Sequence, residues 1–238
     1  MVFGDHHVMA AVGVDRTGAK HVRGIAPGSS ENYHVAKDLL TDVIARGVNP
    51  RRLRLFVIDG SKALRKAIRE LFGPHTPVQR CRAHKVRNVR ERLPRETAAD
   101  VRTRMRGAYR EAESVGLPRL RKLAAWLEAQ DHPDAAASLL EGLEETFTIN
   151  RLGRPASLNR CLGTTNIIEN PNGGVRRRTG RVTHWQDSTM ILRWCAGAFL
   201  ACERGFRKIM GYSELPVLES ELHALEAEHG LAPAVRVA

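Results

Sequence analysis

An α/β fold is predicted for this chain by three observations. The first 80 residues alternate strand-like with helix-like patterns, the 238 residues are 42% hydrophobic and so suffice for a substantial core, and from about residue 82 long basic helical segments take over. Length and apolar content together exclude a disordered chain, a collagen and a small disulfide scaffold.

Residues 7–14 (HVMAAVGV) are an apolar run of strand length. They end at Asp15-Arg16-Thr17-Gly18, a polar turn with glycine where a hairpin needs one, and residues 20–25 form the returning strand. Ser30-Glu31-Asn32 then opens a helix whose apolar positions Val35, Leu39, Val43 and Ile44 share one face, and Gly47 closes it. Residues 53–58 (LRLFVI) read as a strand ending at Asp59-Gly60. Leu64, Ala67, Ile68 and Leu71 mark a second helix over residues 61–72, stopped by Gly73-Pro74, and residues 77–81 make a further short strand. Hairpin, helix, strand, helix and strand in that order predict a sheet with parallel strands in its second half.

Beyond residue 82 the helical segments are punctuated by Pro94, Gly116-Leu117-Pro118, His132-Pro133 and Gly153-Arg154-Pro155. A long helix over about residues 187–210 carries Ile191, Trp194, Cys195, Ala198, Phe199, Cys202, Phe206 and Ile209 on one face, the pattern of a core helix. Residues 214–229 are acidic and amphipathic through Leu218, Leu222 and Leu225. The chain is thus divided, as read from sequence, into segments 1–90, 91–160, 161–212 and a tail, 213–238.

Charge narrows the function. Lys and Arg number 38 against 26 Asp and Glu, giving +12 and a pI near 10.3, a balance expected of a protein that meets a polyanion. The excess is concentrated: residues 80–110 hold eleven basic and three acidic side chains, and residues 151–210 hold the same numbers. Two such blocks make a footprint for nucleic acid. Four cysteines (Cys81, Cys161, Cys195, Cys202) form neither a disulfide framework nor a paired zinc spacing and suit a reducing compartment. The start of the chain lacks the pattern of a signal peptide, and the longest apolar run, residues 191–202, is interrupted by Arg193 and too short to span a bilayer. A soluble intracellular protein is expected, with no membrane partner.

Three clusters carry candidate chemistry. Asp59 ends a strand and precedes a helix, at the sheet edge where α/β proteins place ligands, and a carboxylate there can hold Mg²⁺. Asp-Gly-Ser ahead of a helix is equally an ordinary turn with a cap. Glu169 lies in Thr164-Thr165-Asn166-Ile167-Ile168-Glu169, a few positions before Arg176-Arg177-Arg178-Thr179-Gly180-Arg181, an arrangement suited to a metal-bound carboxylate beside a phosphate clamp. Asn166 with Glu169 also resembles a capping box, and the arginines could be a solvated face. In Gln79-Arg80-Cys81-Arg82-Ala83-His84-Lys85-Val86-Arg87-Asn88, Cys81 and His84 stand three apart. As zinc ligands they lack a second pair; Cys81 alone reads as a buried small residue and His84 as a phosphate or water contact.

Together these segments resemble the catalytic part of the Mutator-like transposases of bacterial insertion sequences. The matching stretches are residues 57–64, residues 78–88 with Cys-x-x-His, residues 164–169 with Arg176-Arg177-Arg178-Thr179, and, less specifically, residues 13–20 with Glu31-Asn32. The resemblance runs from about residue 3 to 210. It implies an RNase H-like core with an all-helical insertion, and Asp, Asp and Glu ligands for two divalent ions, Mg²⁺ or Mn²⁺. Asp59 matches the second Asp, Glu169 the Glu, and His84 a position beside the site. Arg80, Arg82, Lys85, Arg87, Arg176, Arg177, Arg178 and Arg181 become the candidate DNA contacts. DNA, as insertion-sequence ends and target, is the expected partner, the chain is expected to self-associate, and its place is the bacterial cytoplasm and nucleoid.

Two departures stand out. The family's first Asp lies on a strand a few residues before the Phe-Gly that stands here as Phe3-Gly4, so that acid and its central strand are expected to be missing from this sequence. Asp5 is the nearest replacement but falls past the expected strand, and Asp15 is in the hairpin turn. Pro171, soon after Glu169, is expected to kink the helix or to restart it with Asn170 as cap. The function expected is metal-dependent DNA cleavage and strand transfer. The alternative is an inactive remnant that only binds DNA or inhibits the full-length enzyme; a helical RNA-binding protein is disfavoured because no aromatic stacking motif is present.

Overall fold

The structure, a computed structural model, describes residues 1–3, 6–29, 31–153 and 156–231. The first half alternates strands and helices: β1 (Val2–Phe3), β2 (His6–Val14), β3 (Lys20–Pro27), α1 (Tyr33–Ala45), β4 (Phe56–Ile58), α2 (Lys62–Phe72) and β5 (Val78–Arg80). Helices follow: α3 (Arg82–Arg90), α4 (Arg95–Ala108), α5 (Glu113–Ala129), α6 (Pro133–Leu140), a 3-10 turn at Glu144–Phe147, α7 (Thr148–Arg151), α8 (Ala156–Leu162), α9 (Asn166–Thr179), α10 (Ser188–Glu203), a 3-10 turn at Tyr212–Glu214 and α11 (Leu215–Glu228). The α/β class read from the sequence is the class observed. Among the described residues the strands form two sheets, an antiparallel β1-β2-β3 and a parallel β4-β5, where a single sheet was expected.

By packing, the chain divides into two compact units. One comprises Met1–Arg54, Ser61–Thr76 and Asn166–Ala238; the other, Leu55–Gly60 and Pro77–Thr165.

The first unit is built on the hairpin. Residues Val8 to Val14 of β2 pair with Pro27 to Lys20 of β3, with a register shift between Ala11 and Val12. Asp15 shapes the turn by accepting from the backbone N–H of Thr17 at 2.8 Å and of Ala19 at 3.0 Å, and Gly18 closes it at φ 82°. α10 supplies the core: Ile191, Cys195, Ala198 and Phe199 bury against Phe3, Val8 and Val175, and Trp185 meets Phe3 edge-on. Trp194 is on the flank of that stripe and is exposed, and α10 ends at Glu203, short of Phe206 and Ile209. The chain there turns back, with the Ile209 N–H donating to Gly18 O at 2.9 Å. The tail helix α11 buries Leu218 and one carboxylate, Glu226, which accepts from the Leu53 N–H at 2.7 Å and Arg52 Nε at 3.2 Å.

In the second unit, helices α3 to α6 enclose a core of Val86, Val89, Val101, Met105, Leu120, Leu123, Leu127, Leu139 and Phe147. Pro118, read as a break, lies inside α5. It is in the second turn, and the N–H it lacks would have bonded to the Ser114 carbonyl near the start of the helix. Pro171 stands at the same position of α9, which runs from Asn166 to Thr179 as one helix, so the expected restart at Asn170 is not observed. No helix among the described residues is long and apolar enough to cross a membrane.

Candidate active site

Asp59 directly follows β4 in the second unit. Phe56, Val57 and Ile58 pair in parallel with Val78, Gln79 and Arg80, and Gly60 then turns the chain at φ 115°, a conformation glycine adopts without steric cost. The carboxylate therefore stands half-buried at the carboxyl end of a parallel strand. Capping of the next helix falls to a different side chain: Ser61 Oγ accepts from the Leu64 N–H at 3.1 Å. The ordinary reading, a turn followed by a cap, is thus met by Gly60 and Ser61, and the Asp59 carboxylate is not the cap.

Glu169, in the first unit, is the fourth residue of α9 and exposed. Asn166 is the first residue of that helix and not its cap, so the two do not form a capping box. Arg176, Arg177 and Arg178 occupy the last turn and are exposed, where the negative end of the helix dipole favours cations. Arg178 also donates to Cys202 Sγ at 3.1 Å, close to Gly174, whose missing Cβ makes room for that sulfur. Arg181 follows the helix and is exposed.

The Cys-x-x-His stretch builds a hydrogen-bonded hub inside the second unit. Cys81 is fully buried at the start of α3. Its sulfur accepts from the backbone N–H of His84 at 3.5 Å and of Thr165 at 3.3 Å and from the Thr165 hydroxyl at 3.3 Å, and lies 3.2 Å from His84 Nδ1. Burial alone would push the thiol up, but the bonds from His84 and then Thr165 outweigh it and hold Cys81 below its ordinary range. The same contacts fix the imidazole of His84, which is half-buried.

The structure turns Arg80, Arg82 and Lys85 inward, although all three were read as DNA contacts. Arg82 Nε donates to Thr146 O at 2.8 Å, its two terminal nitrogens donate to Asn150 and Asn159 side chains, and its guanidinium lies 5.0 Å from the Tyr109 ring centroid. Arg80 pairs with Glu141 at 2.9 Å. Lys85, fully buried, donates to Ser138 O and Glu141 O at 2.5 Å each. Arg87, on the opposite face of α3, is exposed. Sequence reading missed these partners, Glu141, Thr146, Asn150 and Asn159, because they lie about sixty to eighty residues along the chain. A local signal was present: Arg82, Val86 and Val89 recur at helical spacing, so Arg82 shares the stripe of two buried valines.

Among the described residues no group of three or more His, Cys, Asp or Glu side chains is placed to hold a metal ion. Asp59, half-buried, and Glu169, exposed, each carry in their own unit the kind of hard oxygen donor that Mg²⁺ and Mn²⁺ take. Asp15 is committed to its turn: hydrogen bonds from His21 and then Thr17 hold its carboxyl far below the usual range. Asp5 lies outside the described residues.

Comparison with known proteins gives the same direction. The family description "Transposase, Mutator family" matches residues 2–204. The transposase for insertion sequence element ISRM5 of Rhizobium meliloti (strain 1021) is 30% identical over 190 residues, 78% of this chain and 46% of that protein. That for IS406 of Burkholderia multivorans is 31% identical over 176 residues, 74% and 44%. That for IS256 in transposon Tn4001 of Staphylococcus aureus is 29% identical over 171 residues, 71% and 42%. The chain spans about half the length of the curated relatives it matches. With its β strands, its Asp59 turn, its Cys81–His84 hub and its Glu169 helix all inside the matched stretch, the chain belongs to the Mutator family of transposases.

Proposed function

We propose that this chain is the catalytic part of an insertion-sequence transposase, in which Asp59 and Glu169 are ligands for Mg²⁺ or Mn²⁺ and DNA is the substrate. The observation that carries the reading is Asp59 itself: a half-buried carboxylate at the end of a parallel strand, on a glycine turn. Asp59 and Glu169 would hold the ion through carboxylate oxygens, and its charge would supply the electrostatic stabilisation that attack on a phosphodiester by water or a 3′-hydroxyl needs. Hairpin, parallel strands and the helices of segment 91–160 are then the parts of an RNase H-like core with a helical insertion. Arg87, Arg176, Arg177, Arg178 and Arg181 hold the DNA backbone, and His84, its ring fixed through Nδ1, contacts water or phosphate beside the metal.

The test is nicking of supercoiled DNA by the purified chain with Mn²⁺. Asp59→Ala and Glu169→Ala should abolish nicking and leave DNA binding nearly intact. Equal nicking by both variants would remove these carboxylates from the chemistry. Salt-sensitive binding by the wild type without any nicking would support the alternative, a chain that binds DNA or inhibits a longer transposase.

A further inference from the structure

The inward turn of Arg80 has a consequence for Asp59. Arg80 ends β5, directly opposite Ile58 in the parallel pair, so it sits beside the strand end from which Asp59 emerges. Its side chain is buried and passes between two glycines. A Cβ placed on Gly60 would lie 2.7 Å from Arg80 Nε and 2.9 Å from Nη2, and a Cβ on Gly142 would lie 2.6 Å from Nη1. No real Cβ tolerates such distances, so the guanidinium fills the space that both glycines leave. Both also have positive φ, 115° and 59°, which makes glycine doubly required at Gly60.

The guanidinium is held from its other side by the end of α6. Arg80 Nη1 donates to Glu141 O at 2.8 Å and Nη2 to a Glu141 carboxylate oxygen at 2.9 Å. Lys85 joins by donating to Ser138 O and Glu141 O. Two cations thus grip the last carbonyls of α6, which have no partners within their own helix and lie at the negative end of its dipole. Arg80 Nε is buried with no hydrogen-bond partner among the described residues. A buried guanidinium with one unanswered N–H is costly, and an apolar side chain would fill the same space without that cost.

We propose that Arg80 is a positioning residue: clamped by Glu141 at the end of α6, its guanidinium is the platform on which the Asp59–Gly60 turn rests, and it sets where the Asp59 carboxylate meets its metal. The helical segment accordingly acts on the site through Glu141 and Gly142 without supplying a ligand. The metal part of this inference rests on the reading of Asp59 as a ligand.

Two measurements on the whole chain test it: amide hydrogen exchange over residues 57–62, and Mn²⁺ binding followed by water-proton relaxation. Arg80→Lys keeps the charge but not the planar fork. It should speed exchange in the Asp59 turn by about tenfold or more while leaving α4 and α5 unchanged, and should weaken Mn²⁺ binding by about 10- to 100-fold, as loss of a ligand-orienting partner does. Gly142→Ala, which leaves both Arg80 and Asp59 in place and presses a Cβ on the guanidinium, should produce the same selective change, and it decides the matter if Arg80→Lys does not fold. Wild-type exchange in the turn and wild-type Mn²⁺ affinity in folded variants would overturn the proposal. Faster exchange in the turn, combined with Mn²⁺ binding that survives Asp59→Ala, would keep Arg80 as the platform and refute Asp59 as the ligand.

Discussion

The two basic blocks are indistinguishable by count, yet the structure uses the leading cations of the first and the arginine cluster of the second oppositely. In the block starting at residue 80, the leading cations Arg80, Arg82 and Lys85 are buried and spent on carbonyls, amides and one carboxylate of their own unit. In the later block, Arg176, Arg177, Arg178 and Arg181 stay on the surface at the end of α9. A run of positive charge therefore reports a nucleic-acid face only after helical periodicity has been subtracted. Arg82 and Lys85 fall on the stripe that Val86 and Val89 bury, and Arg87 falls opposite it.

The largest expected effect follows from Arg82. Arg82→Ala takes the arginine donors from the side chains of Asn150 and Asn159, leaves Thr146 O with Gln79 Nε2 alone and removes the contact over Tyr109, so the second unit should lose about 3–5 kcal/mol in denaturant unfolding. A loss below 1 kcal/mol would mean the guanidinium is not the centre of that network.

Lys85 comes next and sharpens the contrast through pH. Burial first, and then the Arg80 cation, pushes its ammonium down to about 8, against about 10.5 in an unfolded chain. Between those values the unfolded chain binds more protons than the folded one, so stability rises as pH rises from about 8 to about 10.5, by at most about 3 kcal/mol. Lys85→Met should flatten that rise. Tyr109, whose burial pushes it up to about 12, contributes the opposite slope above about pH 10, so pH 8 to 10 is the window to measure. A wild type whose stability is flat across it would place the Lys85 ammonium in contact with water.

Arg87 marks the small end. Arg87→Ala should change stability by no more than about 0.5 kcal/mol, because an exposed helix cation away from any network contributes little. A loss of the size predicted for Arg82 would show that α3 has no outward face.

Much of the fold was legible because its signals are local. The hairpin turn at Asp15 to Gly18, the cap at Ser61 and the stripe of α10 each follow from residues within one or two turns of one another. Asp59 was legible for the same reason, as the residue between a short apolar strand and a capped helix. What escaped depends on distant partners. The Arg80–Glu141 pair spans 61 residues, and the bond from Thr165 to Cys81 spans 84. Pro118 and Pro171 misled in another way: proline reads as a break wherever it stands, but α5 and α9 each run on past a proline in their second turn.

The contrast between inward and outward cations is tested most directly by the salt dependence of duplex DNA binding. The logarithm of affinity, plotted against the logarithm of salt concentration, should lose about 2 to 3 from its slope when Arg176, Arg177 and Arg178 are changed together to Ala. The slope should be unchanged in Arg80→Lys and in Lys85→Met. A triple variant with the wild-type slope, or a Lys85→Met variant with a reduced one, would contradict the assignment of the α9 arginines to DNA and of the α3 cations to the fold.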